Sequence, residues 1–415
     1  MNNNFKQELQ EREFLALKDK HRVILKWATG CGKSKMAIDL INYQAMNMLV
    51  HTKPVKVLFV VGERAHINNW QNEFDRWHLR IDRVSTDVIC YNSLKKVKDT
   101  VYDIIVLDEC HHAFSPTRLP ILEEMSQYNI YINSVYLLSA TLSSAKVDQI
   151  EELFGKFTIS TVSLKDAISN DILPDPKVYV VEMELDDSRI DQEIVGRKGD
   201  KPHVVNWENR NKYKFKNVPY VIRCTQKQKN IWFTNEMEYW KQRYENSHNT
   251  FHHNYWVNYG SQRKRFLGEL KTAAVKKLID SLPKKKRFVC FCASVNQANM
   301  LDCVNTISSK RPAKSNQLII DKFNAKKIDH IYAVGMITEG MNLTDIQLGI
   351  IVQLDGKERL FVQKIGRVLR ADAPKAVIFY FKDTQDENYL KGALENIDSK
   401  FVQYINTKQL ATIKL

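Results

Sequence analysis

The sequence predicts an α/β protein built on two parallel sheets, each covered by helices on both faces. Three observations carry that prediction. Short, nearly continuous apolar runs alternate with segments of helical periodicity, the pattern of strands buried on both sides. Several of those runs end in polar, reactive residues, as strands do at the carboxyl edge of an open sheet where ligands bind. The chain of 415 residues is also long for one core, so two domains are expected.

The first apolar run, Val23 to Leu25, breaks into Thr29-Gly30-Cys31-Gly32-Lys33-Ser34, after which Met36, Ala37, Leu40 and Ile41 recur at helical spacing. Strand, glycine loop and helix are what a phosphate-binding loop requires. Glycines let backbone N–H groups turn inward on phosphate oxygens, and the helix N-terminus adds partial positive charge. In this reading Thr29, Gly30, Cys31 and Gly32 cradle a nucleotide, Lys33 reaches its β- and γ-phosphates, and the Ser34 hydroxyl ligates Mg2+. The general G-x-x-x-x-G-K-[ST] pattern has a glycine where Trp27 stands. The alternative is an ordinary glycine-containing turn, which leaves the attached Lys33-Ser34 without a purpose.

Ahead of the loop, Phe5 to Leu17 reads as a short amphipathic helix. Gln10, or alternatively Gln7, is placed there to hydrogen-bond an adenine edge; a solvated glutamine is the competing reading. Val55 to Val61 is a second run, ending in Gly62-Glu63-Arg64 before a helix with Trp70, Phe74 and Trp77. Val88 to Leu94 is a third, with Tyr91 and Ser93 near its end. Tyr102 to Leu107 is a fourth and leads straight into Asp108-Glu109-Cys110-His111-His112. Val135 to Leu138 is a fifth, ending in Ser139-Ala140-Thr141.

This order gathers Lys33, Ser34, Asp108, Glu109, Ser139 and Thr141 around one crevice. A carboxylate at a strand end is the usual partner of a phosphate loop, so Asp108 is expected to hold the metal through water. Glu109 is then placed to orient and deprotonate an attacking water. A pair that only caps a helix is the alternative. No further His or Cys lies at ligand spacing from His111 and His112, so zinc is not expected.

Composition narrows the partners. A net charge of +14 suggests a polyanion, although many basic proteins bind none. No apolar run approaches a membrane span, and the opening Met1-Asn-Asn-Asn-Phe5 lacks a signal-peptide pattern. The seven cysteines form no C-x-x-C pair, as expected of reduced thiols in a cytoplasmic protein.

In the second half, Ile172-Leu-Pro-Asp-Pro176 breaks helical structure, and Val178 to Val181 then reads as a strand. From about 186 to 268 the pattern changes. Lys198, Lys201, Arg210, Lys212, Lys214 and Lys216 interleave with Trp207, Tyr213, Tyr220 and Trp232. Cations on phosphates and rings on bases would make a single-strand grip. A helical insertion whose aromatics form their own small core fits equally. The alternation resumes with apolar runs at 288–292, 331–334, 349–354 and 376–381, a second sheet without a phosphate loop. Within it, Gln363-Lys-Ile-Gly-Arg-Val-Leu-Arg370 puts Arg367 and Arg370 on one helical face. Guanidinium groups brought from a second domain can stabilise charge on a transferring phosphoryl group.

Taken in order, Thr-Gly-Cys-Gly-Lys-Ser, Asp-Glu-Cys-His, Ser-Ala-Thr and Gln-x-x-Gly-Arg-x-x-Arg resemble the motifs of superfamily two helicases and translocases of the DExH type. The resemblance implies two RecA-like P-loop domains in tandem, at 1–170 and 171–415, with a mostly helical basic and aromatic insertion at 186–268. It implies ATP and Mg2+ as ligands, with Gln363, Arg367 and Arg370 joining Lys33 and Glu109 in catalysis. His111, Ser139 and Thr141 would couple the nucleotide to a strand touched by Arg64, Tyr91, Ser93 and Thr338. Glu339, Gly340 and Asn342 would close on the nucleotide from the second domain. The run Gly-Met-Asn-Leu-Thr and the compact layout are similar to phage-type DNA helicases and translocases, so a monomer with DNA rather than RNA as partner is expected. A P-loop kinase or nucleotide-responsive regulator, and a non-motor nucleic-acid scaffold, are the competing functions.

Overall fold

The computed structural model describes residues 3–47, 53–62, 64–128, 132–214, 216–335, 343–354, 373–395, 397–413 and 415. Among these, the first half opens with helix α1 (Asn3–Leu17) and then alternates strand and helix. The elements are β1 (Arg22–Trp27), α2 (Lys33–Asn47), β2 (Val55–Val61), α3 (Arg64–Arg76), β3 (Val84–Cys90), β4 (Ile104–Leu107), α4 (Leu119–Tyr128), β5 (Ser134–Ser139), α5 (Ser144–Phe154), β6 (Thr158–Val162) and α6 (Leu164–Ser169). Its strands pair in parallel in the order β3-β2-β4-β5-β1-β6. Side chains alternate between two covered faces. Val23, Leu25 and Trp27 pack with Val57, Phe59 and Val61 on one side, while Ile24, Leu58 and Val60 pack on the other. Each such buried side chain contributes about 1.5–3 kcal/mol. One expected boundary moves: the third strand ends at Cys90, and Tyr91–Lys96 winds into a 3₁₀ helix.

β7 (Lys177–Met183) follows the break at Pro174 and Pro176. The segment after it is mostly helical, as expected, but it opens with strands that the sequence reading did not include. Its first part is a small mixed sheet of β8 (Gln192–Arg197), β9 (His203–Asn206) and β10 (Tyr220–Cys224), ordered β8-β10-β9, with the short helix α7 (Arg210–Lys214). Ile194, Val205, Tyr220 and Ile222 are buried while Val195 and Val204 are exposed. That period of two makes strands, and the interleaved lysines and aromatics obscured it. The second part is a long helical hairpin of α8 (Gln226–Ser247) and α9 (Thr250–Leu270). Thr225 caps α8 in a reciprocal capping box with Gln228, and His248 takes the left-handed conformation at the hairpin turn.

The chain continues through α10 (Thr272–Asp280), β11 (Phe288–Phe291), α11 (Val295–Leu301), β12 (Thr306–Ser308), α12 (Ala313–Asn324), β13 (His330–Val334), β14 (Leu348–Ile351), β15 (Lys375–Phe381), α13 (Gln385–Leu394) and β16 (Val402–Asn406). The second sheet is parallel throughout, ordered β12-β13-β11-β14-β15-β7-β16, so β7 inserts between the last two strands. A buried ion pair ties the insertion to this sheet. The Lys271 ammonium lies 2.6 Å from Asp386 and also donates to Val352 O and to Gln353 Oε1. Gln353 Nε2 and the Phe381 N–H in turn donate to Asp386, satisfying its remaining acceptors. Among the described residues no helix is long and apolar enough to cross a membrane.

Candidate nucleotide site

The loop between β1 and α2 has the backbone its sequence requires. Gly30 and Gly32 sit at φ +96° and +97°, conformations that side chains rarely adopt. A Cβ on Gly32 would also stand 2.0 Å from Gln10 Nε2. Helix α1 lies across the loop: the Lys6 ammonium donates to Gly30 O at 2.7 Å and Gln10 Nε2 to Cys31 O at 3.0 Å. Both contacts engage loop carbonyls, whereas the first N–H groups of α2 have no partner within that helix. Gln10 therefore spends its amide N–H on the loop backbone, bracing it. The Lys33 ammonium rests on Trp27 O, 2.9 Å away at the end of β1.

Trp27, standing where the general pattern has glycine, is a strand residue whose side chain leaves the loop altogether. Its indole N–H donates to Ser160 Oγ at 2.7 Å, and Ser160 donates on to Glu13 of α1. The loop tolerates tryptophan because the tight turn begins after this position. Cys31 is fully buried, and burial pushes its thiol up to about 11, so it stays protonated.

Sheet order places β4, β5 and β1 side by side, which brings Asp108, Ser139 and the loop to one edge. Asp108 is held on three sides. Trp70 Nε1 of α3 donates to its Oδ2 at 2.9 Å, the Glu109 N–H donates to its Oδ1 at 2.9 Å, and the Tyr91 hydroxyl donates to its carbonyl at 3.0 Å. Glu109 adopts φ +44°, an uncommon conformation for a residue with a side chain and one that recurs at functional sites. Its Oε2 lies 3.4 Å from Nδ1 of the buried His111. Ser139 Oγ accepts from the Thr141 N–H and donates to Thr141 O, a closed turn that fixes both residues after β5.

One carboxylate oriented by two donors and one helix-start hydroxyl suit a hard cation that draws its other ligands from water and phosphate. Among the described residues no group of three or more His, Cys, Asp or Glu is placed to hold a metal ion.

The surroundings differ from expectation in one place. Tyr91 is 1% exposed, so its side chain braces Asp108 instead of meeting a strand. Beside it, Asn92 is exposed and accepts from Arg118, which also donates to His112 O. Arg64 begins α3. Trp70, Lys6 and Arg118 escaped the sequence reading. Trp70 looked like one more apolar position in a stripe with Phe74, and its ring does pack on Phe59 and Phe74. Thr338, Glu339, Gly340, Asn342, Gln363, Arg367 and Arg370 lie outside the described residues.

Residues 270–372 match the family model for the helicase conserved C-terminal domain, and residues 1–88 match that for the res subunit of type III restriction enzymes. No curated protein matches in sequence. Among solved structures, Dbp5 of S. cerevisiae bound to RNA and ADP BeF3 is similar at a TM-score of 0.59 and 11% identity, over 97% of this chain and 90% of that one. The type ISP restriction-modification enzyme LlaBIII bound to DNA gives 0.57 and 14%, over 97% of this chain but 31% of that one. The Hef helicase domain of Pyrococcus furiosus gives 0.52 and 12%, over 93% and 98%. At these identities the structural likeness speaks to the fold, two RecA-like α/β domains in tandem. Fold and matched segments together define an ATP-hydrolysing helicase enzyme. The matched segments and the fold resemble those of superfamily two helicases.

Proposed function

We propose that this helicase is a monomeric ATP-driven motor of the DExH type that moves along or remodels a nucleic-acid strand, with DNA as its track. The observation that carries the reading is the bracing of Asp108. The groups holding it come from α3, which starts at Arg64, and from Tyr91, and both segments resemble strand-contacting motifs of the family. Strand contacts at those segments would thus bear on the nucleotide site through two hydrogen bonds.

In the mechanism, Lys33 would leave Trp27 O to meet the β- and γ-phosphates, and Ser34 and Asp108 would hold Mg2+, which would supply charge neutralisation there. Glu109 takes the proton of the attacking water, with His111 beside it to sense the outcome. The family resemblance assigns Arg367 and Arg370, with Gln363, to an approach from the second domain, Glu339, Gly340 and Asn342 to its side of the cleft, and Thr338 to the strand. We place the domain boundary at 170/171 and the protein in the cytoplasm, that of a bacterial host if the chain is phage-encoded.

The deciding experiment measures ATPase stimulation by single-stranded, double-stranded and forked DNA and by RNA, with Lys33→Ala as control. Stimulation by DNA above RNA, abolished in the variant, is expected. Full turnover in Lys33→Ala would remove the loop from the mechanism, and turnover indifferent to any polynucleotide would favour a nucleotide-responsive regulator. Stimulation by RNA alone would favour the other track, which the likeness to an RNA-bound neighbour keeps in play.

A further inference from the structure

The insertion carries a surface that the nucleotide site does not use. Two readings of its aromatics stood open in the sequence, and the structure divides them. Tyr220 is buried and Trp232 packs against the same small core with Ile194, Val205 and Ile222. Trp207 and Tyr213 back onto that core but remain half-buried, and Tyr239 on α8 is 42% exposed.

Each of these outward rings has a cation against it. The Arg210 guanidinium lies 3.8 Å from the Trp207 ring centre and the Lys216 ammonium 4.5 Å from that of Tyr213. Tyr239 is flanked twice, by Arg243 at 4.8 Å and Lys214 at 5.7 Å. Lys214, Lys216 and Arg243 are themselves exposed.

We propose that this face of α7 and α8 is a second binding surface for single-stranded nucleic acid, separate from the strand contacts of the first domain. The proposal rests on the nucleic-acid reading above. Rings alternating with cations answer both parts of a strand, since phosphates need charge and unpaired bases need flat apolar faces. An acidic protein would use the cations and leave the exposed ring idle. The surface is also firmly mounted. Gly268 of α9 packs so closely on Ala293 that a Cβ there would stand 2.1 Å from the Ala293 Cβ, and the buried Lys271–Asp386 pair locks the same junction to the second sheet. A strand held here is held by the second sheet.

The test uses the full chain and fluorescence anisotropy with labelled oligo-dT and oligo-rU across a salt series. Lys216→Ala with Arg243→Ala should flatten the slope of log affinity against log salt by about 1.4, about 0.7 for each phosphate contact on a single strand. Tyr239→Ala should weaken binding about tenfold with the slope unchanged, and Tyr239→Phe, which keeps the ring, should bind as wild type. All these side chains are exposed or half-buried, so melting temperatures should stay put. If wild type binds both oligomers and the combined variant matches it in affinity and slope, the surface is not a strand site. If Tyr239→Phe is as weak as Tyr239→Ala, stacking is not its contribution. Failure of wild type to bind any polynucleotide would overturn the broader nucleic-acid reading and this one with it.

Discussion

Trp70→Phe isolates a single hydrogen bond at Asp108, the carboxylate proposed to hold Mg2+. The indole N–H donates to Asp108 Oδ2 at 2.9 Å, while the ring packs on Phe59 and Phe74 at centroid distances of 4.7 and 5.8 Å. Phenylalanine preserves most of that packing and deletes the donor. Among the described residues Asp108 then keeps the Glu109 N–H on its other oxygen, so its carboxylate gains freedom to turn about that anchor. A hydrogen bond to a charged group contributes about 1.5–3 kcal/mol, and water recovers part of it at this half-buried position. A net loss of about 1.4 kcal/mol corresponds to tenfold weaker Mg2+ binding. The assay is equilibrium binding of a fluorescent ATP analogue across a Mg2+ titration, with thermal melting alongside. The half-saturating Mg2+ concentration should rise about tenfold in the variant, while binding without metal is unchanged. Superimposable Mg2+ titrations would refute the positioning role. A fall in melting temperature without a Mg2+ shift would reduce Trp70 to a packing residue.

Gly32→Ala forces both a left-handed alanine and a collision with Gln10, so nucleotide binding should be lost; combining it with Gln10→Ala relieves only the collision and should restore binding in part, as calorimetry can show. Lys271→Met strands the buried Asp386 carboxylate and should cost about 3–5 kcal/mol in denaturant unfolding, whereas Lys271→Met with Asp386→Leu should cost clearly less. Cys303 is exposed and the other six cysteines are buried, so a thiol reagent should label one group quickly in the native protein and all seven after unfolding. Rapid native reaction of Cys31, whose thiol burial holds near 11, would contradict its placement.

The sequence alone was enough for everything whose cause is local. The break from apolar strand to paired glycines to helical spacing specifies the strand, the glycine turn and the helix within a dozen residues, and Asp108-Glu109 is marked by ending an unbroken apolar run. The strand content of both sheets was legible for the same reason, since strands buried on both faces need uninterrupted Val, Ile and Leu. Within the insertion the helical part was legible and the small leading sheet was not, because its lysines and aromatics fall on positions that strand alternation also uses. Tertiary structure alone decided what depends on distant partners. No periodicity tells that β7 slots between β15 and β16, that Tyr91 faces inward, or that one tryptophan in an apolar stripe turns its N–H to Asp108. Those outcomes depend on which surfaces meet, and chain-distant pairing leaves no mark on local residue spacing.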